Sequence, residues 1–132
     1  MPTHINPPGV STPTGYSHVV SSDRHRTIYL SGQIAVNAAG EVVGEGNLAA
    51  QTEQVWQNIA TCLAAAGASF ADIVKMTTYV VSYKPDDRLI VAAARAKYLP
   101  ADRPPASTLV GVQALARPEF LIEIEAIAML ED

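Results

Sequence analysis

The chain has 132 residues, 48% hydrophobic and 17% charged, which suits a single folded domain over residues 1–132 and excludes a disordered segment. Nine Lys plus Arg against thirteen Asp plus Glu give a net charge of -4, and the absence of any basic run argues against nucleic acid as a partner. Cys62 is the only cysteine, so an internal disulfide is excluded. A reducing cytoplasm is then the expected location, since the N-terminus lacks the pattern of a signal peptide and no apolar run reaches membrane-spanning length. Charged content is low for so small a surface, which hints that another copy of the chain covers part of it.

Residues 1–15 hold Pro2, Pro7, Pro8 and Pro13 with Gly9 and Gly15, and read as an extended arm without an element of its own. Tyr16 to Ser21 and Thr27 to Ser31 are expected to be short strands joined by the polar turn "SDRHR". Asn47 is a plausible N-cap for a helix whose stripe is Leu48, Val55, Ile59, Cys62, Leu63 and Ala66, with Gly67 placed for a left-handed end. Asp72 to Ser82, rich in β-branched and aromatic residues, reads as a strand. Pro85, Asp86 and Asp87 open a second helix that stops before Pro100. A strand follows from about Ser107 to Val112, then a loop at Arg117 and Pro118, then the strand Phe120 to Leu130.

The order β-β-α-β-α-β-β predicts an α+β fold with two helices on one face of a mostly antiparallel sheet. Alternation gives the final strand one core face, Ile122, Ile124, Ala126 and Ala128. Its other face carries Glu123, Glu125, Ile127 and Met129, a mixture suited neither to water nor to a core. That face is expected to meet a neighbouring subunit, with the carboxylates lining a pocket at the seam.

No phosphate-binding glycine loop, zinc spacing or G-x-S-x-G motif is present, and no metal or organic cofactor is expected. His4, His18 and His25 fall in an arm, a strand and a turn, without ligand spacing. Cys62 reads as a packing thiol on the first helix, while Lys75 and Lys97 read as solvated. Glu123 and Glu125 are the strongest candidates for chemistry. Either they pair across the sheet with cations and water, or one of them orders a water or moves a proton in a partly dry cleft. In such a cleft, with few cations near, the pKa of Glu123 should be raised.

The ordered set "YLSGQIAVN", "QTEQVWQNIATCLAAAGAS", "DIVKMTTYV", "RPPASTLVGV" and "IEIEAIA" resembles the Rid family of enamine and imine deaminases, from about Gly15 to Met129. The resemblance implies a chorismate-mutase-like fold assembled as a homotrimer, the sheets forming a central barrel with small-molecule clefts between subunits. It implies that Tyr16 stands at the cleft mouth, that Ser31 and Gly32 lie beside the ligand, and that Glu123 positions the attacking water. Backbone groups near Gly32 and Val110 would hold the ligand. Deaminating members carry an arginine where this chain has Ser107, and often an asparagine where it has Ala92. That arginine grips the substrate carboxylate, and a hydroxyl does not replace a forked cation.

The chain thus resembles an arginine-lacking subgroup, with Arg103 and Arg117 as candidate substitutes that need a long reach. Two functions follow. One is hydrolytic deamination of an imine or enamine that is not a simple 2-imino acid. The alternative is a non-catalytic trimer that binds a small metabolite as a sensor or partner protein.

Overall fold

The computed structural model describes residues 2–131. Its elements are β1 (Thr3–Ile5), β2 (Val19–Ser21), β3 (Arg26–Gln33), α1 (Leu48–Ala65), a short 3-10 turn (Phe70–Asp72), β4 (Ile73–Val81), α2 (Asp87–Tyr98), β5 (Ala106–Val112) and β6 (Ile122–Leu130). The main sheet runs β3-β6-β4-β5. β6 is antiparallel to both β3 and β4, whereas β4 and β5 are parallel, because α2 supplies the crossover between them. This is the α+β fold expected, with both helices on one side. Among the described residues no helix is long and apolar enough to cross a membrane.

The helix face of the sheet is the core. Ile122, Ile124, Ala126 and Ala128 of β6 are buried there with Met76 and Val80 of β4. Against them lie Val55, Ile59 and Leu63 of α1 and Val91 and Ala94 of α2. Asn47 caps α1 through the amide of Ala50, and Gly67 just beyond its end has φ of +77°. Cys62 is partly buried against the core. The apolar stripe misses three residues that α1 also buries, Gln51, Thr52 and Trp56. Gln51 donates to the carbonyls of Gly44 and Glu119 and accepts from the amide of Leu121, so a buried amide ties α1 to the start of β6. Trp56 stacks on Tyr98 with ring centres 5.6 Å apart, joining α1 to α2.

The N-terminal region departs from expectation. Thr3–Ile5 is a strand, paired antiparallel with β2 in a separate two-stranded sheet. Pro2 and Pro7 flank this segment without interrupting it, so its amides stay free to pair. The expected strand Tyr16–Ser21 shrinks to Val19–Ser21. Ser17 instead bridges to Ala106, its amide bonded to the carbonyl of Pro105 and its hydroxyl to that of Pro104. That bridge pins Tyr16 beside β5.

The second sheet face is open. Tyr29 on β3 is 77% exposed opposite Ile127, Glu125 on β6 is exposed beside it, and the helices sit on the opposite side. An apolar strip with carboxylates beside it is thus left facing outward.

Candidate functional site

Glu123 is flanked on β6 by Ile122 and Ile124, which are 0% and 1% exposed, so alternation fixes its side chain on the open face. Beside it, the β3–β6 register breaks between Leu30 and Gln33, and Gly32 lies in that irregularity. A Cβ built on Gly32 would stand 2.7 Å from Cδ of Glu123. The carboxylate therefore occupies the space that a side chain at position 32 would take. Burial, with a smaller push from Glu125, holds the pKa of Glu123 above the usual carboxylate range.

Glu125 has a different environment. The Tyr79 hydroxyl donates to its Oε1 at 3.1 Å. Lys75 turns to Thr108, with Nζ donating to Oγ1 at 2.8 Å. Neither carboxylate is paired with a lysine or arginine among the described residues.

A raised folded-state pKa means that the fold favours protonated Glu123. Its contribution to stability is fully present below the unfolded pKa and is lost as pH rises through the raised folded value. Glu123→Gln is expected to share the wild-type thermal midpoint in acid and to exceed it above that value. Scanning calorimetry between about pH 4 and 9 checks this. Gly32→Ala is expected to displace the carboxylate without unfolding the strand, because the obstructing atoms belong to a flexible side chain. An NMR titration of the Glu123 carboxyl carbon in that variant should move back toward the ordinary value.

Ser31 is exposed at the same break in register, and its carbonyl accepts from Nε2 of Gln33 at 3.0 Å. Val110 is opposite Tyr79, which is itself opposite Glu123, so Val110 shares the open face two strands away.

Ser107 and Tyr16 lie elsewhere. Ser107 is in register with buried Met76 and therefore points to the helix side. It lines a cavity of about 200 Å³ between β5 and α2, together with Tyr16, Thr78, Arg88, Ala92 and Arg95. Tyr16 packs edge-on against His18, ring centres 5.3 Å apart. The site residues expected from the sequence thus divide into two groups on opposite faces of the sheet. Glu123, Gly32, Ser31 and Val110 form one, Tyr16 and Ser107 the other. A single chain does not unite them.

A family model described as Endoribonuclease L-PSP matches residues 9–130. A solved structure of a conserved Rid-family protein of unknown function, YyfB from Yersinia pestis, superposes with a TM-score of 0.90 at 43% identity, covering 98% of each chain. The chain belongs to the Rid family. Among Rid relatives, the 3-aminoacrylate deaminase RutC of Acinetobacter baylyi is 30% identical over 97% of this chain and 98% of its own. Protein DfrA of Myxococcus xanthus is 34% identical over 86% of this chain and 84% of its own.

In this Rid-family chain neither arginine proposed as a substitute lines the cavity. Arg117 donates to Glu119 at 2.7 Å and lies over the Phe120 ring, while the charge of Arg103 acts on His4. The cations that do reach the cavity, Arg88 and Arg95, went unnoticed in the sequence. A signal was present: Arg88, Ala92 and Arg95 recur at four and three residues, which sets them on one helix stripe.

Proposed function

We propose that the protein is a homotrimer that hydrolyses a reactive imine or enamine in clefts between its subunits. The observation that carries this reading is the Glu123 carboxyl, raised in pKa and lying over Gly32 on a sheet face that no helix covers. A second copy seated on that face would supply Tyr16, Ser107 and the cavity beside α2, completing from two chains what one chain holds apart. RutC, a deaminase by name and similar over nearly the whole chain, supports the same reaction class.

In the proposed reaction, Glu123 as carboxylate takes a proton from water while the oxygen bonds to the imine carbon. The electron pair of the C=N bond moves to nitrogen, which receives that proton. Glu123 then carries the hydroxyl proton of the resulting carbinolamine to its amine nitrogen, so that the C–N bond breaks, ammonia leaves and a carbonyl remains. Imines hydrolyse readily, so positioning and one proton shuttle suffice without a cofactor. A pKa lifted toward neutrality suits a group that both accepts and returns a proton. Ser107 and Ala92 leave room where larger, more polar anchors are expected, so the substrate is not the simplest 2-imino acid.

Ser107 also favours a second reading, in which the trimer binds a metabolite without turning it over. An amino-acid oxidase that generates imines in the presence of semicarbazide separates the two. Faster loss of trappable imine with the protein supports hydrolysis. Unchanged trapping across linear, branched and aromatic imines would remove the catalytic reading.

A further inference from the structure

Arg95 stands between two hollows. The cavity shared with Tyr16 and Ser107 lies on one side. On the other is a cavity of about 220 Å³ walled largely by Ala92, Ala96, Leu99, Pro100 and Pro104. Ala92 and Arg95 line both, so the two hollows form one groove along α2 with a guanidinium at its waist.

That guanidinium is half-buried and has no hydrogen-bond or ion-pair partner among the described residues. Burial alone acts on it, depressing its pKa. Its N–H donors remain open to the groove with no protein acceptor, which leaves a forked cation free to receive an anion. The approach of the N-terminal segment is built around it. Gly15 has φ of +76°, and a Cβ there would lie 3.1 Å from Cζ of Arg95. The positive φ favours glycine at this position, and the absence of a side chain lets the backbone lie against the guanidinium. Arg88, seven residues earlier on the same α2 stripe, also lines the first cavity and adds a second positive charge there.

We propose that Arg95 anchors the carboxylate of the ligand from α2, in place of the strand arginine for which Ser107 stands. The ligand is then an acid with an apolar extension, its carboxylate at Arg95 and its tail along Leu99 and Pro100. A planar guanidinium receives a carboxylate through two parallel bonds, and the small side chains of Ala92 and Ser107 leave it uncovered. The proposal uses the cavity of the deaminase reading and names its substrate class, but it concerns binding and does not require turnover.

The probes are pyruvate, 4-methyl-2-oxopentanoate and the methyl ester of the latter, titrated calorimetrically into wild type, Arg95→Ala, Arg95→Lys and Ala96→Trp. The branched acid should bind wild type more tightly than pyruvate does, and its ester should bind about tenfold or more weakly than the acid. Arg95→Ala should abolish the difference between acid and ester at an unchanged thermal midpoint, and Arg95→Lys should restore part of it. Ala96→Trp should erase the preference for the branched tail. Equal affinity for acid and ester, or equal acid affinity in wild type and Arg95→Ala, would overturn the proposal, as would failure of both acids to bind wild type. Acid binding without imine hydrolysis would sink the deaminase reading and leave this one standing. Hydrolysis of neutral imines without acid binding would do the reverse.

Discussion

Glu123→Gln is expected to lower kcat for imine hydrolysis by about 10²–10⁴-fold, the usual worth of a positioned proton-transfer group. Glutamine keeps the size of the side chain and its place over Gly32. It still accepts a hydrogen bond from water but cannot take the proton. KM should change little, because the anchoring cavity lies on the other face of the sheet. Glu125→Gln is the control. Its carboxylate accepts a hydrogen bond from Tyr79, and an amide oxygen can do the same, so most activity should survive. Steady-state kinetics on the three proteins, with light scattering to show intact assembly, decides the matter. Equal kcat in wild type and Glu123→Gln would take Glu123 out of the mechanism.

Ile127→Asp is expected to have its largest effect on assembly. Ile127 is opposite Tyr29 across the β3–β6 ladder and opposite Lys75 on β4, on the face away from the helices. A carboxylate there has no cost in an isolated subunit that leaves the face wet. In a trimer the same charge is enclosed at the seam, where Lys75 opposite it is turned to Thr108, and burying it costs several kcal/mol per copy, repeated around the ring. The variant should run as a folded monomer at micromolar concentration, with wild-type far-ultraviolet circular dichroism. A trimer of unchanged stability would show that this face is not the interface.

Much of the fold was legible because its signals are local. The alternation in "IEIEAIA" places Ile122, Ile124 and Ala126 in the core and Glu123 opposite them, as found. Asn47 and Gly67 mark the two ends of α1. What escaped depends on partners distant in sequence. Gln51 looks like a surface residue on its helix, and only the backbone groups of Gly44, Glu119 and Leu121 make it a buried strut. The strand at Thr3–Ile5 exists because Val19–Ser21 lies alongside, which proline content alone conceals.

The candidate site was half legible for the same reason. Family resemblance pointed to Ser107 as the place of a missing cation. It pointed on α2 only to Ala92 as a lost asparagine, and not to Arg95, which reaches the same cavity from that helix. Arg103 and Arg117 were near in sequence, but nearness along β5 does not turn a side chain into the cavity. The division of the site between two faces is likewise invisible until Ser107 is seen in register with Met76 and Glu123 with Tyr79.

That division allows a direct test of the seam. Glu123→Gln disables one half of each cleft, and Ala92→Trp fills the cavity that forms the other half. Each variant alone should be nearly inactive. When the two are co-expressed, a cleft that draws Glu123 from one copy and an open cavity from its neighbour is intact. Random mixing around a three-membered ring makes about one cleft in four of this kind. Mixed trimers purified away from the two homotrimers hold one such cleft in three and should therefore regain about a third of wild-type imine hydrolysis. Mixed trimers no more active than the separate variants would show that both halves of the site belong to the same chain.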